Sequence, residues 1–472
     1  MQVMANTLDG GQITLPQDAV TSFGAALRGQ LLTPDSPGYD EARKVWNAMI
    51  DRRPAMIARC AGAADVVQAV RFARQHGLLT AVRGGGHNIG GLGICDGGLL
   101  IDLGLMRSVR VDPKRKTAVA EPGVTLSDFD HDTQAFGLAT PVGINSTTGL
   151  AGLTLGGGFG WLTRKYGLTV DNLTSVDVVT ADGELIQANA KKHPDLFWAI
   201  RGGGGNFGVV TAFEFKLHKI GPEVMSGLLI YPIEQAAGVL RQYREFVASA
   251  PDELAVWLVM RQAPPLPFLD AKWHGKKVLV VAALYAGSVR KGKQAIKPLR
   301  QIGKPVADAM MPHQYTQWNA AFDGLLAPGA RNYWKSHDMA ELSDDTLRIL
   351  LEHAERVPTF GCEVFVAHMG GAAARVAEEA TAYAHREASF IVNVHARWDE
   401  PSDDDRCIGW ARELFQALAP HATGGVYVNF MTGEEKDRIK SAYGMNYARL
   451  AQVKKEYDPG NLFRVNQNIP PG

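Results

Sequence analysis

The chain has 472 residues, 46% of them hydrophobic, enough for at least two domains with cores of their own. Its 49 basic and 49 acidic residues cancel, which leaves no electrostatic footprint for nucleic acid or an anionic membrane. The longest apolar run, 278–286, is too short to span a bilayer, and residues 1–30 hold neither a basic n-region nor an apolar h-region, so a soluble cytoplasmic protein is expected.

Residues 54–60 read as a strand. Asp65–Gln75 reads as a helix with Val66, Val67, Val70 and Ala73 on one face and Gly77 as its stop. The strand Leu78–Val82 then runs into Arg83-Gly84-Gly85-Gly86-His87-Asn88. Consecutive glycines let backbone N–H groups converge on a phosphate or pyrophosphate. No Lys-Ser/Thr follows them, so this is not a P-loop. Gly90, Gly91 and Gly93 follow at once in place of a long helix, so a Rossmann dinucleotide turn fits poorly. A glycine cradle with one imidazole nucleophile at its tip suits a flavin dinucleotide and a covalent bond to it. The strand Leu99–Asp102 comes next, and Thr125–Asp128 starts a capped helix that Gly137 ends.

In Gly149–Gly160, six glycines (149, 152, 156, 157, 158 and 160) are interspersed with apolar residues. No strand carries so many at small cost. Packing accounts for one or two such close approaches, so the stretch is expected to cradle a cofactor. Tyr166, Asp171 and Asn172 follow and are candidates for the same ligand. Ser175–Thr180, Asp182-Gly183 and Glu184–Ala188 form a hairpin signal. Pro194–Ile200 is a short helix, Gly202–Gly205 a second glycine loop, and Val209–Phe215 extended.

Beyond residue 220 the texture changes. Segments 226–231, 254–261, 277–285, 362–368, 389–397 and 425–430 read as strands and 234–249 and 288–301 as helices: a second domain, an antiparallel sheet backed by helices. Alternation puts Asn393, His395 and Arg397 on one strand face, and Tyr427 and Asn429 on a shared face of the next. Glu363 and His368 fall on opposite faces and cannot pair with each other. Trp257, Trp318, Phe322, Trp334 and Phe365 suit an aromatic ligand or an ordinary core. The helix Tyr447–Tyr457 is stopped by Asp458-Pro459-Gly460. Cys60, Cys95, Cys362 and Cys407 lack metal-ligand spacing, so reduced buried thiols and no metal are expected.

Taken together and in order, Arg83–Asn88, Gly97–Leu103, Gly149–Gly160, Tyr166–Leu168, Asp171-Asn172, Asp195–Gly204, Asn206–Thr211, Tyr457–Arg464 and Asn466–Pro470 resemble the berberine-bridge-enzyme-like branch of the vanillyl-alcohol-oxidase superfamily of flavoproteins. The resemblance implies an α+β fold with two domains. An FAD-binding α/β domain would take residues 1–220, completed by 425–472, and a substrate domain residues 221–424. It implies FAD bonded through its 8α carbon to His87. Some relatives add a second bond from a cysteine; Asn145 stands at that position, so a single bond is expected. The implied cofactor contacts are Arg83, Gly84, Gly85, Gly86, His87, Asn88, Asn145, Thr148, Gly149, Gly152, Leu153, Gly156, Gly157, Gly160, Tyr166, Asp171, Asn172, Val210, Asn466 and Asn468.

His395 matches the family's catalytic glutamate, and an imidazole is a suitable base at neutral pH. Tyr427 and Asn429 resemble a family Tyr-x-Asn pattern. Ala442 stands where many plant relatives have a tyrosine base, with Tyr443 beside it as a further catalytic candidate. Lys335, in a family-like Tyr-Trp-Lys-Ser segment, reads as catalytic or as surface charge, and His385-Arg386 as packing. The implied activity is oxidation of an alcohol or amine carbon of a small molecule, with hydride passing to flavin N5 and O2 as acceptor giving H2O2. A dehydrogenase of the same fold with another acceptor, and a noncatalytic flavin-binding protein, are the alternatives; the oligomeric state is left open.

Overall fold

The computed structural model describes residues 2–472. Its opening β-α-β unit is the strand Met56–Arg59, the helix Ala63–Gln75 and the strand Thr80–Arg83. The strand Leu99–Asp102 lies between the two strands and parallel to both, and Gln30–Leu32 adds an antiparallel edge. Val66, Ala69, Val70 and Ala73 press the helix onto Met56, Ala58, Leu99 and Ile101. Burying each such Val or Leu contributes roughly 1.5–3 kcal/mol, and the sum fixes the end of Thr80–Arg83, from which the first glycine loop departs.

A second sheet is antiparallel throughout, in the order Leu185–Asn189, Leu173–Val179, Val209–Lys216, Thr117–Ala120, Val109–Asp112. Its hairpin turns at Gly183, whose φ of +73° favours glycine. Residues of the C-terminal segment, among them Val426, Tyr443, Leu450 and Ile469, share the hydrophobic core of this sheet. The helix Leu126–Gln134 carries the expected capping box, Thr125 with Asp128.

The third sheet is antiparallel and built from residues 223–398. Its main order is Ala307–Asp308, Glu223–Pro232, Lys277–Tyr285, Leu254–Gln262, Glu363–His368, Phe390–Trp398, Arg331–Met339. The period of two splits its side chains cleanly. Leu229, Val281, Leu258, Val364 and Val394 bury one face against the helices Ala236–Val247, Asp344–Ala354 and Asp404–Leu418. Leu228, Val259, Glu363, Phe365 and His395 stand on the other face, toward the glycine loops.

One expectation is corrected. Residues 425–430 are not a strand: Arg331–Met339 ends the sheet, and Val428–Phe430 is a 3-10 turn closed by Phe430 N–H on the Tyr427 carbonyl at 2.9 Å. The alternation of Val426, Tyr427, Val428 and Asn429 arises because Val426 and Val428 enter the core while Tyr427 and Asn429 reach the second glycine stretch. That stretch in turn forms a short helix, Leu150–Leu155.

Asp130 joins the helix Leu126–Gln134 to the helix Tyr315–Asn319 by accepting from Asn319 Nδ2 at 2.5 Å. Complete burial pushes its pKa up to about 7, against the hydrogen bond from Asn319. The folded protein therefore keeps a proton that the unfolded chain loses near pH 4. Stability is fullest below that point and falls as the pH rises toward 7. Asp130→Asn is expected to raise stability near pH 8 by on the order of 2–4 kcal/mol and to leave it unchanged near pH 3. Thermal unfolding at the two pH values checks this; an equal shift at both would contradict it.

Candidate functional site

A cavity of about 550 Å³ lies between the glycine loops and the open face of the third sheet. His87 forms part of its wall and stacks on Trp46, ring centroids 5.1 Å apart. Asn145 Oδ1 accepts a hydrogen bond from the Thr147 hydroxyl at 2.9 Å. Thr147 Oγ1 is thereby left to accept from His87 Nε2–H at 3.0 Å. Nδ1 then holds the lone pair, with the Thr148 hydroxyl 3.5 Å away as its donor. Burial pushes the imidazole pKa down to about 4, so the ring is neutral and nucleophilic at physiological pH.

The glycines divide into two kinds. A Cβ at Gly85 or Gly149 would drive each loop into the backbone of the other, so the two glycine stretches are mutually dependent. A Cβ at Gly156 would strike Asn429, at Gly157 the Tyr383 ring, at Gly158 the Thr169 side chain and at Gly160 the Val142 carbonyl. Packing thus requires five of the six glycines in 149–160, where one or two were expected. Gly152 and Gly205 are different: a Cβ at either meets nothing within 4 Å, and both line the cavity. Asn466 adds a buried Oδ1 without a partner to the same wall. Open glycine backbone, an orphan acceptor and a neutral histidine fit a flavin dinucleotide. His87, the 84–88 loop, Asn145, Thr148, Gly149, Gly152, Leu153, Gly156, Val210 and Asn466 would hold it.

The roof carries a row of side chains set by strand register. Arg261 lies opposite Glu363, Glu363 opposite His395, and His395 opposite Trp334. Arg261 Nη1 donates to Glu363 Oε2 at 2.6 Å, and Glu363 Oε1 lies 3.0 Å from His395 Nδ1. Burial alone would favour the neutral acid. The Arg261 charge and the hydrogen bond from His395 outweigh it and hold the Glu363 carboxyl below the usual carboxylate range. An ionised Glu363 accepts a hydrogen bond from Nδ1–H, so Nε2 carries the lone pair. Nε2 is buried, has no partner, and belongs to the cavity wall. Trp334 stacks on one side of the ring at 4.2 Å, and Phe365 lies nearly parallel beyond the other at 6.0 Å.

The other candidates separate by position. Tyr427 and Asn429 line the cavity but are bonded to each other at 2.9 Å and to Gly158 N and the Leu153 carbonyl. Burial pushes the Tyr427 phenol up to about 12, so it is no base at neutral pH. Tyr443 donates to the carbonyls of Gly203 and Gln467, which ties the second glycine loop to the tail. The guanidinium of Arg83 is engaged by Asp102 and by the carbonyls of Ala42 and Lys44.

Gly157, Gly160, Tyr166, Asp171, Asn172 and Asn468 do not line the cavity. Asp171 instead takes both terminal nitrogens of Arg386 at 2.8 Å, and Asn172 binds the Tyr166 and Leu168 carbonyls. Lys335 is neither exposed nor in the cavity wall; it is buried between Glu434 at 2.8 Å and Glu435 at 3.3 Å. Sequence reading missed Arg261, Glu363 and Thr147 as site residues. Strand parity excludes a Glu363–His368 pair, but only register reveals the Glu363–His395 pair.

A family model described as "FAD binding domain" matches residues 54–189, and one described as "Berberine and berberine like" matches 426–470. An FAD-linked oxidoreductase of Dictyostelium discoideum is 33% identical over 457 residues, covering 96% of this chain and 97% of its own length. The (R)-6-hydroxynicotine oxidase of Paenarthrobacter nicotinovorans is 31% identical over 458 residues, covering 94% and 97%. Among solved structures, 6-hydroxy-D-nicotine oxidase from Arthrobacter nicotinovorans superposes with a TM-score of 0.84 at 30% identity, covering 94% of this chain and 98% of that one.

Proposed function

The chain belongs to the berberine-bridge-enzyme-like FAD-linked oxidoreductases and has their two-domain, vanillyl-alcohol-oxidase-type fold; on that premise we propose that it is an oxidase carrying FAD bonded once, through the 8α carbon, to His87. It oxidises an alcohol or amine carbon of a small molecule, O2 takes up the electrons, and H2O2 is released. One observation carries this reading: a histidine held by an ionised carboxylate turns an unpartnered Nε2 into the cavity that the glycine loops floor.

FAD, when bound, supplies the hydride acceptor and the reactivity toward oxygen. The chain's own residues do the rest. His395 Nε2 accepts the O–H or N–H proton of the substrate as its C–H bond breaks. Glu363 stabilises the resulting imidazolium, and Arg261 keeps Glu363 ionised. Trp334 and Phe365 fix the ring plane, so that little reorganisation accompanies the transfer. The neutral His87 imidazole presents Nδ1 for attachment to the cofactor, its tautomer set by Thr147 and Asn145.

Acid precipitation of the purified protein tests the attachment: yellow colour stays with the denatured chain, and a flavin-sized mass increment lies on the peptide containing His87. His87→Ala is expected to release all colour on denaturation. Thr147→Val, which removes the acceptor for Nε2–H, is expected to lower the acid-stable fraction severalfold, and Thr147→Ser to restore it. Equal acid-stable flavin in the parent, Thr147→Val and Thr147→Ser would refute the tautomer argument. Substrate-dependent peroxide release tests the acceptor; a flavin that substrate bleaches anaerobically but air fails to restore would point to a dehydrogenase.

A further inference from the structure

We propose that the substrate is an uncharged hydrophobic alcohol, its carbinol at His395 and its apolar body laid along the strands Leu254–Gln262, Lys277–Tyr285 and Glu223–Pro232. The inference rests on the flavin-dependent oxidation proposed above and names the molecule that the roof of the same cavity takes.

The roof is a grid whose rows follow from register. The row of His395 reads Trp334, His395, Glu363, Arg261, Val278. The next row, two residues along each strand, has Asn393 on the strand of His395, outside the cavity wall, followed by Phe365, Val259, Val280 and Ile230. The third reads Trp257, Ala282, Leu228. With adjacent strands about 4.8 Å apart, the apolar rows extend roughly 14 Å from the strand of Phe365 to that of Ile230. Among their side chains only the Trp257 indole can form a hydrogen bond. An oligosaccharide laid there would give up hydrogen bonds to water and regain almost none. An aromatic or aliphatic body gains by burial. The wall also holds Leu266, Leu325, Leu326 and Phe268, which is 46% exposed, with His313 and the exposed Gln317 as polar members at this end.

Charge narrows the class further. Glu363 is the one acidic side chain in the cavity wall, and both of its oxygens are engaged, by Arg261 and by His395. An ammonium group therefore finds no free carboxylate, and a carboxylate finds Arg261 already paired. A neutral carbinol needs only a proton acceptor, which His395 Nε2 provides. In the reaction the carbinol C–H bond breaks, and its hydrogen and electron pair leave as hydride to oxidised FAD. The O–H proton goes to His395 Nε2, and the C–O bond becomes the carbonyl of an aldehyde or ketone. O2 then takes the two electrons with two protons, as H2O2.

The test titrates the holoprotein with naphthylethanol, naphthylethylamine and xylobiose, following quenching of tryptophan fluorescence; Trp257, Trp318 and Trp334 line the cavity. The alcohol is expected to bind at least about tenfold more tightly than either competitor. Val259→Thr and Val280→Thr, similar in shape but bearing a hydroxyl, are expected to weaken it by roughly three- to tenfold with flavin content unchanged. Equal or tighter binding of the amine or of xylobiose overturns the proposal, as does unaltered affinity in both variants. The two readings fail separately. A protein that binds the alcohol but never carries flavin sinks the oxidase and keeps the substrate chemistry; one that carries flavin but does not bind the alcohol does the reverse.

Discussion

Replacing His395 by glutamine is expected to lower kcat by about 10²–10⁴, the usual range for a positioned general base, while flavin content stays unchanged. Glutamine keeps a polar group under Trp334 but cannot take a proton. Glu363→Gln should fall between this variant and the parent. The amide oxygen still accepts from Nδ1 and keeps the ring in place, but its neutrality removes the charge that favours the protonated imidazole. The rate of flavin reduction per folded enzyme is therefore expected to fall while substrate affinity holds. A purely structural Glu363 would change the amount of folded enzyme and leave that rate in place. Stopped-flow reduction of the flavin over a range of substrate concentrations, in parent and both variants, decides the matter. A His395→Gln enzyme within threefold of the parent would remove the base from the mechanism.

The first glycine loop was legible in sequence because its chemistry is local. Gly84–Gly86 followed by His87 states a backbone geometry and a nucleophile in four consecutive residues. The strands and helices around it were equally plain, since hydrophobic periodicity and turn residues are short-range signals. The density of the second glycine stretch has a further cause that sequence did not show. It reflects close contact with Thr169 and Val142 nearby and with Gly85, Asn429 and Tyr383 far along the chain. The segment 425–430 imitates a strand, because a chain that alternately enters a core and touches a loop has the same period as a pleat. The proposed base and its carboxylate were separable by parity but not joinable by it. His395 and Glu363 are 32 residues apart, and only antiparallel register sets them side by side. Lys335 looked like surface charge because its partners, Glu434 and Glu435, lie a hundred positions further along the chain.

Lys454→Met is expected to destabilise the protein by roughly 3–5 kcal/mol, the range for removing one partner of a buried ion pair. Lys454 and Asp458 are one helical turn apart, 2.6 Å between charged atoms, with no exposed side-chain surface. Asp458 also receives the N–H groups of Leu462 and Phe463, and Lys454 donates to the carbonyls of Asn206 and Phe463. Methionine would leave the carboxylate buried without its cation. The double variant Lys454→Met, Asp458→Asn should recover part of the loss, since neither charge then remains. A functional effect should accompany the loss of stability. Asn206 binds the Gly203 and Gln467 carbonyls and the Ile469 N–H, and Asn466 binds the Gly205 carbonyl, so the ion pair fastens the returning tail to the loop that borders the cavity. Loss of Lys454 should therefore raise the rate at which unattached flavin leaves a His87→Ala background, under conditions where both proteins are folded. Urea unfolding gives the first quantity and flavin release the second. A destabilised protein with an unchanged release rate would confine the pair to holding the fold and separate the tail from the cofactor.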